Sequence, residues 1–309
     1  MNYSTYKSGL LSSFKKYREK RFSQQDELFD ERWNHVFKTR YAEYNLFDPE
    51  LGKLLKKQRR HRWFRSMGSS QALAVSVFGS MIYRGDLQFL SKINDDRGHP
   101  LLLGFELHGK HDFDHPVKTL NEPKPTQVDL FLPGKDYRVA IECKLWEPDL
   151  GACSQVPKAC NGCYSSQTGR MPGYRCALTE KGIKYWDYIP QLFHWLSDVD
   201  QPCPIWKPYQ LVRNVLAASV DPINGEISGA NVAVLIYDAR NPAFSSGGNA
   251  DKQFQCVQSA LKNSISLKRT TWQMIAESIK EHGRYGKLLE WLDEKFGIHP
   301  IEGNALGGS

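Results

Sequence analysis

An aspartate at position 129 is followed, on the far side of a turn, by Glu142-Cys143-Lys144 inside the apolar run YRVAIECKLW. Two carboxylates and an ammonium suit a particular chemistry. Carboxylates at close range hold a hard divalent cation such as Mg2+, shared with waters and a substrate phosphate. A lysine beside them can orient or help deprotonate an attacking water and offset developing negative charge. The setting carries more of the signal than the Glu-x-Lys spacing, because charges in an apolar run are costly unless paired, metal-bound or on the exposed face. A second copy, Glu122 and Lys124 in the proline-bearing stretch NEPKPT, reads as solvated loop charge. The alternative for the Glu142 copy is an edge hairpin with a surface salt bridge.

Bringing the three together takes two adjoining strands. QVDLFLPG (127–134) and YRVAIECKLW (137–146) fit that description, and Pro133-Gly134 followed by Lys135-Asp136 predicts a tight turn between them. Side chains alternate along a strand, so Glu142 and Lys144 share a face and the hairpin can bring Asp129 beside them. LLLGFELHG (101–109) predicts a further strand, with Glu106 as an additional acid if that strand neighbours the hairpin. Ahead of it, Ser69-Ser70 can cap a helix through SSQALAVSVFGSM, with Ala72, Val75, Phe78 and Met81 toward a core and Gln71 a weaker candidate near the site.

Residues 1–65 read as helical. Leu10, Leu11, Phe14 and Tyr17 recur at helical spacing, as do Leu28, Trp33, Val36 and Phe37; Asp48-Pro49 interrupts, and the pattern resumes from Leu51 to Arg65. Downstream, Tyr188–Trp195 and Tyr209–Ala218 look helical, and Arg213 and Asn214 on the second of these face either a substrate channel or solvent. NVAVLIYDA (231–239) is continuously apolar, as a strand covered on both faces is, and helices return between Lys252 and Phe296. A strand–helix–strand return of this length gives a parallel crossover. The expected class is α/β, a mixed central sheet flanked by helices.

Asp129, Glu142 and Lys144 in this order of elements resemble the PD-(D/E)XK, or restriction-endonuclease-like, nuclease superfamily, whose motif sets an acid at the end of one strand before (D/E)-x-K on the next. Val128 stands where the motif has proline; Pro125 lies three positions earlier. The resemblance covers about residues 66–240. It implies a restriction-endonuclease-like core, metal ligation by Asp129, Glu142 and the carbonyl of Cys143, Glu106 as an upstream acid, and Lys144 positioning the water. It further implies Mg2+- or Mn2+-dependent hydrolysis of DNA. The chain then divides into a basic helical N-terminal region (1–65), the nuclease core (66–240) with a Cys-rich insertion at about 148–180, and a C-terminal helical region with a disordered tail (241–309).

Seven cysteines without an export signal argue for thiols or metal ligands rather than a disulfide framework. Cys153, Cys160, Cys163 and Cys176 fall within one loop-like stretch at spacings suited to four-thiolate Zn2+ or, less readily, an iron–sulfur cluster. Reduced thiols in an insertion are the alternative. Cys203 and Cys256 read as buried small residues.

The net charge of +7 is concentrated: residues 1–65 hold 16 Lys/Arg against 8 Asp/Glu. KKYREKRF (15–22) and KKQRRHRWFR (56–65) interleave cations with aromatic rings, which suits phosphate contact plus stacking or packing. A hydrophobic share of 40% and mean hydropathy of −0.52 describe a globular chain, and its longest apolar runs fall far short of the roughly 20 residues a bilayer needs. A cytoplasmic location is the expectation. The histidines form no zinc-hydrolase motif and there is no GxxxxGK[ST] loop, which speaks against a nucleotide-driven motor. The function expected is a Mg2+-dependent endodeoxyribonuclease acting in restriction or phage defence, with double-strand cutting by a homodimer or by successive nicks. Two alternatives stand beside it: a non-catalytic nucleic-acid-binding protein with a zinc loop, and a nuclease acting on RNA.

Overall fold

The computed structural model describes residues 1–116, 118–122, 127–155, 176–195, 203–221, 223–227, 231–262 and 265–300. Five strands form one mixed sheet in sequence order: β1 (Asp112–Pro116), β2 (Gln127–Pro133), β3 (Arg138–Cys143), β4 (Asn231–Tyr237) and β5 (Ile265–Thr271). β1, β2 and β3 are successively antiparallel, and β3–β4 and β4–β5 are parallel. Parallel pairs need crossovers. Helix α5 (Tyr209–Ser219) lies between β3 and β4, and α6 (Asn249–Ala260) between β4 and β5.

Alternation along the strands makes two cores. Val139, Ile141 and Cys143 of β3 and Val232, Val234 and Ile236 of β4 face a core shared with α1 (Tyr3–Arg21), α2 (Ser70–Tyr83), α7 (Trp272–Glu281) and α8 (Gly286–Phe296). Ala140 of β3 and Ala233, Leu235 and Tyr237 of β4 face the other, covered by α5, α6 and α4 (Tyr185–Leu192), which follows the short turn of helix α3 (Ala177–Glu180). Glu142 falls on the Ala140 side by parity, so its charge projects toward the α5 layer. β4, buried at every position, has the two-sided cover its unbroken apolar run implies. α2 starts as expected: Ser69 caps it by accepting from the Ala72 N–H at 3.2 Å, a bond worth about 1 kcal/mol.

Several expectations fail for identifiable reasons. Residues 101–109 form no strand; they are bends with a single bridge, Leu107 to Gly134, and the antiparallel neighbour of β2 is instead the short DFDHP, β1. Beyond α1, the region to residue 65 is not α-helical. Its apolar spacing comes from aromatic anchors of irregular chain, Phe29 lying 4.6 Å from Phe37 and both edged by Phe22, and from short 3-10 turns at Thr39–Asn45, Pro49–Leu54 and Lys57–Arg59. The sheet runs past residue 240, because ISLKRTT is β5. Its charges are satisfied locally: Lys268 donates to the Pro100 and Leu101 carbonyls, and Arg269 pairs with Asp96 and Asp251. The N-terminal helix packs into the main core, where Tyr6, Leu10, Phe14 and Tyr17 are buried. Among the described residues no helix is long and apolar enough to cross a membrane. The tail from residue 301, and most of the Cys-rich insertion, lie outside the described residues.

Candidate active site

The antiparallel register that pairs Leu130 with Ile141 sets Asp129 opposite Glu142 at the next step. There the Cys143 N–H donates to Asp129 Oδ2 at 2.8 Å, so the strand end is closed by the side chain. Glu142 Oε1 lies 2.8 Å from Lys144 Nζ. Helix α5 completes the arrangement: Gln210 Nε2 donates to Glu142 Oε1 at 2.5 Å, Lys144 Nζ donates to Gln210 Oε1 at 2.8 Å, and Asn214 Nδ2 donates to Glu142 Oε2 at 2.8 Å. Residues 210 and 214 are four apart, one helical turn, and so present to the same strand.

The electrostatics are those of crowded acids beside a cation. Burial, and then the Glu142 charge, push the Asp129 carboxyl well above its ordinary range, with Lys144 and the Cys143 N–H opposing. Burial works against the Lys144 charge, but Glu142, with Glu147 and Asp129 behind it, outweighs burial and holds the ammonium above lysine's usual range. Lys144 is thus a donor in the resting site, not a base. The Cys143 thiol, fully buried in the opposite core, is pushed up by burial and presents no nucleophile. The buried Asn214 Oδ1 has no partner among the described residues, an open acceptor next to Glu142. Two hard carboxylate donors this close, the charge of one raising the pKa of the other, fit a divalent cation, which would relieve that repulsion.

The loop after Lys144 is pinned from three directions. The Lys144 carbonyl accepts from Trp272 Nε1 of α7 at 2.9 Å; the Leu145 carbonyl accepts from Tyr6 Oη of α1 at 2.8 Å and from Asn241 Nδ2 at 3.0 Å; the Trp146 carbonyl accepts from Tyr3 Oη. Glu147 accepts from Ser70 Oγ at the start of α2 at 2.7 Å and from the Leu145 N–H at 2.6 Å. These bonds fix the backbone on which Lys144 rides, and they explain why α1 is part of the core.

Asp129, Glu142, Lys144 and Glu147 line a cavity of about 1030 Å³, with Tyr3, Lys7, Trp33, His35, His61, Trp63, Gln71, Trp146, Gln210 and Arg213 also on its walls. Gln71 borders it while tied to the preceding chain, accepting from the His61 N–H at 2.9 Å and donating to the Arg59 carbonyl at 3.2 Å. Glu106 is not brought there. Its segment pairs with the hairpin turn at Gly134, the far end of the strands from Asp129, and its exposed carboxylate faces Lys135 at 3.7 Å. Glu122 is not solvated: its side chain is 3% exposed and forms a bidentate pair with Arg213 of α5, joined by the Tyr185 hydroxyl. Lys124 lies outside the described residues. Arg213 and Asn214 are both buried, so the solvent-facing alternative for them is excluded.

Cys160 and Cys163 lie outside the described residues, so the four-cysteine set stands as an expectation. Cys153 and Cys176 flank that segment, and the half-buried Cys203, its thiol pushed up to about 12 chiefly by burial, feels both electrostatically. Among the described residues no three His, Cys, Asp or Glu are grouped to hold a metal. Cys256, expected to be buried, is exposed on α6. Gln210, Glu147, Tyr3 and Trp146 were not found by sequence reasoning. The Gln210–Asn214 spacing was the available signal for the first.

No curated protein and no solved structure gives a significant match to the chain. A family model described as "Restriction Endonuclease associating with ARP" matches residues 13–297, which takes in all five strands and Asp129, Glu142 and Lys144. The chain belongs to this restriction-endonuclease family, REase-ARP, and membership implies a nuclease.

Proposed function

We propose that the chain hydrolyses phosphodiester bonds of DNA at Asp129, Glu142 and Lys144 with the help of Mg2+ or Mn2+, as an endonuclease serving restriction or phage defence. The observation that carries this reading is the opposition of Asp129 and Glu142 across the β2–β3 register, where burial and the Glu142 charge raise the pKa of the Asp129 carboxyl, beside an ion-paired lysine in the wall of a large open cavity. Asp129, Glu142 and the Cys143 carbonyl would hold the cation, which when bound supplies charge stabilisation at the reacting phosphate and a more acidic water. Lys144 donates a hydrogen bond to the attacking water or to a phosphate oxygen and offsets the charge that builds there. Gln210 and Asn214 keep the Glu142 carboxylate aimed, and Gln210 keeps Lys144 from swinging away. Arg213, held in its bidentate pair with Glu122, also lines the cavity wall. The family description adds association with ARP, which for this chain is a partner to be sought by co-purification.

Plasmid and oligonucleotide substrates incubated with Mg2+, Mn2+ or EDTA test the reading. Metal-dependent nicking by the wild type, lost in Glu142→Gln and Lys144→Ala, is expected. Binding without cleavage under every condition would favour a binding protein, and cleavage confined to RNA would change the substrate.

A further inference from the structure

We propose that the aromatic chamber beside Asp129, Glu142 and Lys144 receives one unpaired nucleobase, so that the preferred substrate is DNA with an extruded or single-stranded nucleotide. The inference rests on the phosphodiesterase reading of that site and adds the state of the DNA it takes. Trp146 stands two residues beyond Lys144, and its indole is held like a plate. Phe14 and His35 meet it edge-on, each with ring centroids 5.9 Å away, and Lys7 Nζ lies 5.3 Å from its ring. Gly68 lets it lie that close: a Cβ there would fall 2.3 Å from the ring. Trp33 and Trp63, which line the same cavity, meet at 5.4 Å and 73°, both only half buried. Arg32 and Arg62 lie over these two rings at 5.0 and 5.2 Å.

Half-buried tryptophans that line a recess are poor choices for a core and good ones for a flat guest. Every base offers a π-face, and the cations over these rings complement the phosphates on either side. Within an intact duplex both faces of each base are covered by its neighbours, so the plates could be used only by a base that has left the stack. His35 and His61 border the chamber, and burial, with Lys7 and Arg62 respectively, lowers the pKa of each. A neutral imidazole offers one donor and one acceptor, which suits the edge of a base better than a phosphate.

Binding is measured by fluorescence anisotropy in EDTA, with the full chain and labelled oligonucleotides: a single strand, the paired duplex, and the same duplex with one bulged nucleotide. The unpaired forms are expected to bind more tightly than the paired duplex. Trp33→Ala and Trp63→Ala are each expected to lose roughly 5- to 150-fold on the unpaired forms alone, the contribution of one stacked base. Trp33→Phe should restore most of that loss. A preference for the bulge identifies extrusion from a duplex, and a preference for the single strand alone identifies a substrate already unpaired. Equal affinity for all three forms, or losses that fall equally on paired and unpaired DNA, overturns the proposal. Should the alanine variants fail to fold, wild-type tryptophan emission decides: stacking quenches it, and equal emission with bulged and paired DNA counts against the chamber. Since binding is read without metal, an absence of cleavage would defeat the nuclease reading alone. Cleavage of paired DNA with no preference would defeat the chamber alone.

Discussion

Replacing Gln210 by alanine isolates the positioning of the lysine from its presence. Gln210 makes two hydrogen bonds to charged groups, 2.5 Å to Glu142 and 2.8 Å to Lys144. Such bonds contribute about 1.5–3 kcal/mol each. Water from the cavity can take up both partners, so the net cost to stability should settle near 2 kcal/mol, below the sum of the two. Lys144 keeps its Glu142 partner at 2.8 Å but loses the one that fixes its direction. A displacement of about 1 Å at a reacting group costs on the order of 100-fold in rate. Single-turnover cleavage of saturating plasmid with Mg2+ should therefore slow by about that factor, close to 2.7 kcal/mol of barrier, with DNA affinity in EDTA unchanged. Gly151→Ala offers an independent approach to the same atoms. Gly151 has φ of +73°, and a Cβ on it would sit 2.6 Å from Gln210 Oε1, so the side chain must move. A Gln210→Ala enzyme that cuts at the wild-type rate, or one whose rate and affinity fall together, refutes the positioning role.

Asp129→Asn should raise stability in EDTA while abolishing cleavage, by about 1–2 kcal/mol as sites that trade stability for function do. The folded-state pKa of Asp129 is raised above the ordinary 3.8, so above that pH the unfolded chain gives up its proton first and wild-type stability falls as pH rises toward the folded value. The advantage of the variant in calorimetric melting temperature should thus grow from acidic to neutral pH, and Mg2+ should stabilise the wild type but not the variant. A variant less stable at every pH would count against carboxylate crowding. Glu122→Gln strands the Arg213 guanidinium in a site where it is 8% exposed, and a loss of about 3–5 kcal/mol in urea unfolding is expected, as for other broken buried pairs. A loss under about 1 kcal/mol would mean the pair behaves as a solvated one.

How much of this was legible in the chain depends on the range of the cause. The β2–β3 hairpin, α2 and β4 announce themselves by alternation, a serine cap and a continuous apolar run, and those signals lie within each segment. Asp129, Glu142 and Lys144 follow from the hairpin register alone. β5 was hidden because Lys268 and Arg269 find their partners in residues 96–101 and in α6, beyond any local pattern. Glu122 was misread for the same reason, its cation lying 91 positions away. In residues 28–65 the helical spacing of apolar residues was real, but Phe29 and Phe37 meet through an isolated bridge rather than along a helix. Glu106 was placed on a strand that the chain gives instead to DFDHP, a segment too polar and too short to be recognised.

The most direct test of the central claim measures metal occupancy and cleavage on the same samples. Mn2+ binding, read by electron paramagnetic resonance, and single-turnover nicking should separate the roles: Lys144→Ala keeps the Mn2+ signal and loses nicking, whereas Asp129→Asn loses both. Wild-type nicking by Asp129→Asn, or a wild-type protein that neither binds Mn2+ nor cuts DNA with it, would contradict the account.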